Sequence, residues 1–289
     1  MNRANIFLTR RCNFKCKGCN VITKQYPELT LDGWYNVFSI LKQQGVRFIQ
    51  LYGGEPTLRD DLPEMIEFLN AIKVSHTIVT NSARLLSDKD YYRRFLNSNP
   101  FGITCSHNGS SEKLLSVLKT NGYIGDLACN LMIDKNSIKE IPEIIFRYSA
   151  LGISMVVFFL HNGEEWEFRG PSDDEVDDLS LIISMAEWFL VNYDNLLLYN
   201  SRRYFEAWNR YAITKDWKCS EVTSLQVNCD GRISICQDMP PTNYSVLDLL
   251  DKKDEALQAC LNQSVSCSGC FYDCYFEHDN LGRLHIGKK

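Results

Sequence analysis

No apolar run in this chain of 289 residues is long enough to cross a membrane. The longest, Ile153 to Leu160, is less than half of the ~20 residues a spanning helix needs. The apolar stretch after Met1 breaks within a few residues at Thr9-Arg10-Arg11, too short for the apolar region of a signal peptide. A basic block is also missing. The net charge of −5 is spread over both signs, which leaves no electrostatic footprint for nucleic acid or an acidic membrane surface but does not exclude a nucleotide as substrate. The expected location is the cytoplasm, with a monomer as the default state.

What is present is a globular composition, 45% hydrophobic and 23% charged, in a chain long enough for one large domain and a small appendage. There are twelve cysteines, and in a reducing compartment these favour metal binding over disulfides. Three of them, Cys12, Cys16 and Cys19, lie in one short loop with three and then two residues between them. Three thiolates this close can share one metal centre. A fully bonded iron-sulfur cluster takes four cysteine ligands, so a loop of three leaves one iron open to a ligand that is not protein. Zinc would want a fourth ligand nearby, and no second Cys-x-x-Cys or histidine pair follows within the next fifty residues. A disulfide-bonded loop and plainly buried cysteines are the structural alternatives.

The Cys-x3-Cys-x2-Cys loop resembles the signature of the radical S-adenosylmethionine (radical SAM) enzymes. Tyr52-Gly53-Gly54-Glu55-Pro56 resembles that family's Gly-Gly-Glu-Pro motif, which contacts the amino group of SAM. The resemblance implies that Cys12, Cys16 and Cys19 hold a [4Fe-4S] cluster whose open iron is chelated by SAM. One electron then cleaves SAM to methionine and a 5′-deoxyadenosyl radical, which abstracts a hydrogen atom from the substrate. The residue before the third cysteine, usually aromatic in the family, is Gly18 here, a departure on the adenine side of the site.

Up to about residue 195, apolar strand-like runs alternate with amphipathic helical stretches, the pattern of a parallel sheet built from βα units. Strands are expected near Ala4 to Leu8, Arg47 to Tyr52, His76 to Thr80, Gly102 to Ser106, Leu127 to Ile133 and Ser154 to Leu160. Between the first two, Thr30 reads as the N-cap of a helix over Leu31 to Gln43. Six such units match the partial (β/α)6 TIM-like barrel of the family. In parallel α/β folds the chemistry gathers at the C-terminal strand ends. The cysteine loop, Gly53-Gly54-Glu55, Asn81-Ser82 and Ser106-His107-Asn108-Gly109 follow the first four strands in turn. By resemblance, Asn81, Ser106 and Asn108 lie beside the SAM carboxylate and ribose. Turn formation is the structural alternative for each. After the sixth strand a polar, aromatic loop over residues 161–171 is the nominated substrate contact, with His161 and Glu164 as acid/base candidates; a helix from about Asp174 to Val191 follows.

Seven cysteines fall in the last quarter of the chain. Asn228-Cys229-Asp230-Gly231-Arg232 reads as a hairpin turn between two strands. The set resembles the auxiliary-cluster domain called twitch in its one-cluster form and SPASM in its two-cluster form, the twitch form fitting better. The resemblance assigns Cys219, Cys236, Cys267 and Cys270 to a second, auxiliary [4Fe-4S] cluster, with Cys274 in reserve. Zinc in a closed four-thiolate site is the alternative. The expected division is a barrel over residues 1–200 and a small α+β auxiliary domain over 201–289.

The family resemblance fixes the cofactors, SAM and iron-sulfur, more firmly than the substrate. Only eleven residues precede the first cluster cysteine, and the length is close to that of family dehydrogenases and epimerases of aminocyclitol and aminoglycoside biosynthesis. The expectation is therefore a small polar substrate, a sugar, aminocyclitol or nucleoside, with flavodoxin or ferredoxin as electron donor. Dehydrogenation would pass an electron to the auxiliary cluster. Epimerisation would need a thiol that is not a ligand, and Cys105 and Cys229 head the candidates, with Cys129, Cys260 and Cys274 behind them. A peptide-modifying enzyme is the runner-up. From another class, a non-catalytic iron-sulfur or zinc scaffold or redox sensor would have no use for the Gly-Gly-Glu motif.

Overall fold

The computed structural model describes residues 1–16, 19, 21–134, 137–159, 178–214, 222 and 224–266. Of the candidate residues, Gly18, His161, Glu164, Cys219, Cys267, Cys270 and Cys274 lie outside them.

The elements alternate as the sequence pattern leads one to expect. β1 (Arg3–Thr9) is followed by α1 (Leu31–Gln43), β2 (Phe48–Gly53), α2 (Leu62–Ala71), β3 (Ser75–Thr80), α3 (Ala83–Ser87), α4 (Lys89–Asn97), β4 (Gly102–Ser106) and α5 (Ser111–Thr120). Then come β5 (Asp126–Ile133), α6 (Ile141–Ala150), β6 (Ser154–Phe159), α7 (Asp178–Asn192), α8 (Arg202–Thr214), β7 (Ser224–Val227), β8 (Ile233–Ser234) and α9 (Lys253–Gln263). Thr30 caps α1, its hydroxyl accepting from the Gly33 N–H, and Trp34, Val37, Phe38, Ile40 and Leu41 form the buried stripe of that helix. Among the described residues no helix is long and apolar enough to cross a membrane.

The chain divides into two compact units, one made of Met1–Leu127 with Val222–Val265, the other beginning at Ala128. In the first, the strands run in the order β4-β3-β2-β1-β7-β8, parallel throughout except for the antiparallel β7–β8 hairpin. The sheet is open. β7 comes from the C-terminal part of the chain and pairs with β1 at Arg3↔Ser224 and Asn5↔Gln226. In the second unit β5 and β6 pair in parallel, and an aromatic cluster of Phe189, Tyr204, Phe205 and Trp208 joins α7 to α8.

Side-chain alternation gives the first unit's sheet two unlike faces. Ile49, Leu51, Ile78, Ile103, Leu225 and Val227 are buried on one. The residues that alternate with them are mostly polar: Asn5, Gln50, Tyr52, Thr77, Thr104, Ser106 and Gln226, with Gln50, Tyr52, Thr77 and Ser106 half-buried. A sheet covered on both faces would carry apolar runs throughout, so the polar face is the one left for something other than core.

His76 is a polar exception on the apolar face. Fully buried, its Nδ1 lies 3.1 Å from the Val74 carbonyl and its Nε2 accepts the Phe101 N–H at 3.3 Å, which fixes a neutral ring with the proton on Nδ1. Burial holds its pKa below the ordinary 6.5. The unfolded chain therefore takes the proton first as pH falls. Stability from this group is complete above pH 6.5 and is lost as pH falls below it, with a limiting slope of about 1.4 kcal/mol per pH unit. His76→Gln is expected to flatten the pH dependence of urea unfolding between pH 7.5 and 5.5 relative to wild type; equal slopes would refute the assignment.

Candidate active site at the strand ends

The C-terminal ends of β1 to β4 are joined by a chain of hydrogen bonds centred on Glu55. Its carboxylate is 1% exposed. One oxygen accepts from the Thr57 N–H (3.1 Å), the Thr57 hydroxyl (2.6 Å) and the Thr80 hydroxyl (2.7 Å). The other accepts from the Asn81 N–H at 2.7 Å. Burial pushes the Glu55 carboxyl above its ordinary pKa, and these four donors pull against that.

Asn81 passes the connection on. Its side-chain amide donates to Asn13 Oδ1 at 2.7 Å and reaches Cys12 Sγ at 3.9 Å, so the end of β3 holds the first turn of the cysteine loop. From β4, the Asn108 amide donates to the Asn81 carbonyl (3.1 Å) and to the Ser106 carbonyl (2.9 Å), while its oxygen accepts from the Ser110 N–H (2.7 Å). Asn81 and Asn108 thus order the loops in which the sequence places them. Ser106 stands half-buried at the end of the polar face.

Both glycines of the motif are required by the loop lying on them. The Gly54 N–H donates to the Thr9 carbonyl and the Glu55 N–H to the Arg11 carbonyl, each at 2.8 Å. A Cβ at Gly54 would sit 2.1 Å from the Arg11 oxygen; one at Gly53, where φ is +141°, would sit 2.3 Å from the Thr9 oxygen. No side chain fits at either position.

The three loop cysteines are free thiols, Cys12 half-buried, Cys16 and Cys19 exposed. The Cys19 N–H donates to the Cys16 carbonyl at 3.2 Å, and the Phe14 N–H reaches Cys12 Sγ at 3.3 Å. Burial raises the Cys12 pKa most, and the charges of Glu55, Cys16 and Cys19 raise it further; burial and then Cys19 raise that of Cys16. The Cys12 and Cys16 thiols therefore feel the charge of their neighbours. Among the described residues no three His, Cys, Asp or Glu side chains form a group that would hold a single ion. A cluster that gives each thiolate its own iron does not require them to meet at one point. Free thiols close together on a loop shaped by a glycine cradle fit such a cluster.

Among the described residues, none of the remaining candidate thiols is exposed. Cys105 is fully buried beside Ile103 on the sheet's apolar side, where burial pushes it up to about 12. Cys229 is buried in the turn after β7, its pKa raised to about 11, and Cys260 lies buried in α9. Cys129 is buried in β5, and Cys236 is half-buried after β8, its sulfur accepting from the Asp238 N–H at 3.4 Å. The site also contains residues that the sequence reading passed over: Thr9, Asn13, Thr57, Thr80 and Gln226. Thr57 and Thr80 had one signal, a hydroxyl within two residues of a motif carboxylate or at a strand end.

An open parallel sheet whose strand ends hold a three-cysteine loop against a glycine-glycine-glutamate turn defines a class of iron-sulfur enzyme. Residues 6–169 match the model of the Radical SAM superfamily, and the chain belongs to that family. Membership implies SAM and a [4Fe-4S] cluster. The chain is 31% identical over 88 residues to an S-adenosylmethionine-dependent nucleotide dehydratase of Selenomonas ruminantium, covering 30% of this chain and 32% of that protein. It is 31% identical over 203 residues to the PqqA peptide cyclase of Rhizobium meliloti, covering 62% and 53%. Both matches span about half or less of the relative's length. Among solved structures, Streptococcus suis SuiB bound to precursor peptide SuiA matches with a TM-score of 0.68 at 16% identity, covering 93% of this chain and 71% of that one, a likeness of fold.

Proposed function

We propose that this radical SAM enzyme removes a hydrogen atom from a small polar substrate, a sugar, aminocyclitol or nucleoside, giving dehydrogenation or epimerisation. When bound, the [4Fe-4S] centre supplies the electron that splits SAM. Cys12, Cys16 and Cys19 hold that centre. The Gly53-Gly54-Glu55 turn fixes the loop carrying them, and Ser106 borders the space beside it.

The polar sheet face is the observation that carries the substrate class. Gln50, Thr77 and Thr104 line it, and the Tyr52 hydroxyl donates to Gln226 Oε1 across from β2 to β7. On the same face Asn5 Oδ1 and Ser224 Oγ are buried with no hydrogen-bond partner among the described residues. Amides and hydroxyls suit a neutral hydrogen-bonding ligand better than an apolar one. The auxiliary cluster, assigned to Cys219, Cys236, Cys267 and Cys270 with Cys274 in reserve, stays part of this reading, as does an auxiliary domain over 201–289. A peptide substrate is the second reading, favoured by the length of the match to the PqqA peptide cyclase.

The test is anaerobic incubation of dithionite-reduced protein with SAM and either a panel of deuterated sugars, cyclitols and nucleosides or a precursor peptide. Deuterium in the released 5′-deoxyadenosine identifies the class. A peptide-only signal favours the second reading, and no cleavage with either defeats both. The auxiliary cluster has its own measure: about eight irons per chain after reconstitution, falling to about four when Cys12, Cys16 and Cys19 are alanine. About four falling to none would remove it.

A further inference from the structure

The residue before the cysteine loop is a buried cation. Arg10 is 5% exposed, and among the described residues no carboxylate lies within ion-pair distance of it. Its guanidinium is held instead by neutral groups. Nε and Nη2 donate to Asn228 Oδ1 at 3.2 and 2.9 Å, Nη1 reaches the Val21 carbonyl at 3.4 Å, and the rings of Phe7 and Tyr26 lie 4.6 and 4.9 Å from it. A buried charge is costly without good partners, and two aromatic faces with an amide oxygen supply only part of what a carboxylate would. Such a group is retained at a position where its charge or its reach has a use.

Both are visible. Phe7 precedes the loop, Val21 and Tyr26 follow it, and Asn228 belongs to the β7–β8 turn, so the guanidinium spans the base of the loop from three sides. Asn228 is itself oriented. Its amide nitrogen donates to Asp230 Oδ1 at 2.8 Å, which turns its oxygen towards Arg10. The turn is fastened to the loop's exit by the Leu29 N–H donating to the Cys229 carbonyl at 2.9 Å. A Cβ at Gly231, where φ is +83°, would press on Leu29 at 3.2 Å.

We propose that Arg10 and Asn228 are a positioning pair for the iron-sulfur centre: the C-terminal hairpin holds a buried cation, with no direct ion-pair partner among the described residues, across the base of the cysteine loop, closing the loop and raising the centre's reduction potential. Reduction adds negative charge to a cluster ligated by thiolates, and a fixed positive charge nearby stabilises the reduced state; nearby charge is among the terms that set such potentials. The proposal takes from the functional reading only that Cys12, Cys16 and Cys19 hold the centre.

The experiment is an EPR-monitored redox titration of the anaerobically reconstituted full chain, following the signal that SAM perturbs. Arg10→Gln is expected to lower the reduced-to-oxidised ratio at a fixed potential about tenfold, ~59 mV for one electron. Arg10→Lys, which keeps the charge without the fork, is expected to restore it to within about threefold of wild type. A wild-type midpoint in Arg10→Gln, or a loss in Arg10→Lys as large as in Arg10→Gln, overturns the proposal. Asn228→Ala keeps the test decisive should Arg10→Gln not load: it is expected to lose iron to a chelator about tenfold faster than wild type. Iron held as tightly as in wild type overturns the clamp. Wild-type protein that takes no iron into the Cys12 set overturns the functional reading instead.

Discussion

Gly54→Ala is expected to cost the protein its iron-sulfur centre. The added methyl would lie 2.1 Å from the Arg11 oxygen and 2.6 Å from the Arg11 carbonyl carbon, backbone atoms that cannot swing aside as a side chain can. Relief requires moving the strand-like contact in which Gly54 and Glu55 donate to Thr9 and Arg11. That contact aims the first turn of the cysteine loop. Overpacking of this kind costs about 1–3 kcal/mol in fold stability. The larger effect is on the loop, whose own cluster is expected to be lost, taking total iron from about eight per chain to about four. Iron and sulfide assays beside circular dichroism would check it: a folded variant with wild-type iron would show that the glycine is not needed for the loop.

The second large effect is expected at Glu55. Glu55→Gln keeps the shape but places an NH2 group among donors. Wherever the amide turns, it faces either the Thr57 and Thr80 groups on one side or the Asn81 N–H on the other. Donor against donor at a buried site costs about 2 kcal/mol or more. The strain falls on Asn81, which also holds Asn13 and Cys12. We expect lower thermal stability together with at least a tenfold loss in SAM affinity, the equivalent of about 1.4 kcal/mol, measured by equilibrium dialysis on reconstituted protein. Wild-type affinity in a destabilised variant would confine Glu55 to a structural role.

Much of this arrangement was legible because parallel βα units announce themselves locally. The strand expected at Gly102 to Ser106 is found with those bounds, and that expected at Ala4 to Leu8 is one residue longer at each end. The helix over Leu31 to Gln43 and its Thr30 cap are as read. The hairpin through Asp230-Gly231 was also readable, since that dipeptide favours the turn. The pairing of β7 with β1 was not. Four residues, Ser224 to Val227, carry no local sign of which strand they will join. Arg10 was similarly hidden. Beside Arg11 it reads as a solvated charge, and its burial rests on an amide 218 positions away. Glu55 was legible as a motif residue but not as the hub of a hydrogen-bond chain, because Thr80 and Asn81 reach it only once β2 and β3 are side by side.

The place of β7 beside β1 has a consequence for how the protein is made. Strand β1 acquires its second neighbour only when residues 224–227 are available, after β2, β3 and β4. Until then one edge of β1 presents unpaired backbone groups, a surface prone to intermolecular pairing, and contacts of such long sequence separation form slowly. The Arg10–Asn228 contact waits on the same event. A chain that has not yet reached residue 228 cannot finish the base of the cysteine loop, so the closed loop comes after the last parallel strand has joined the sheet.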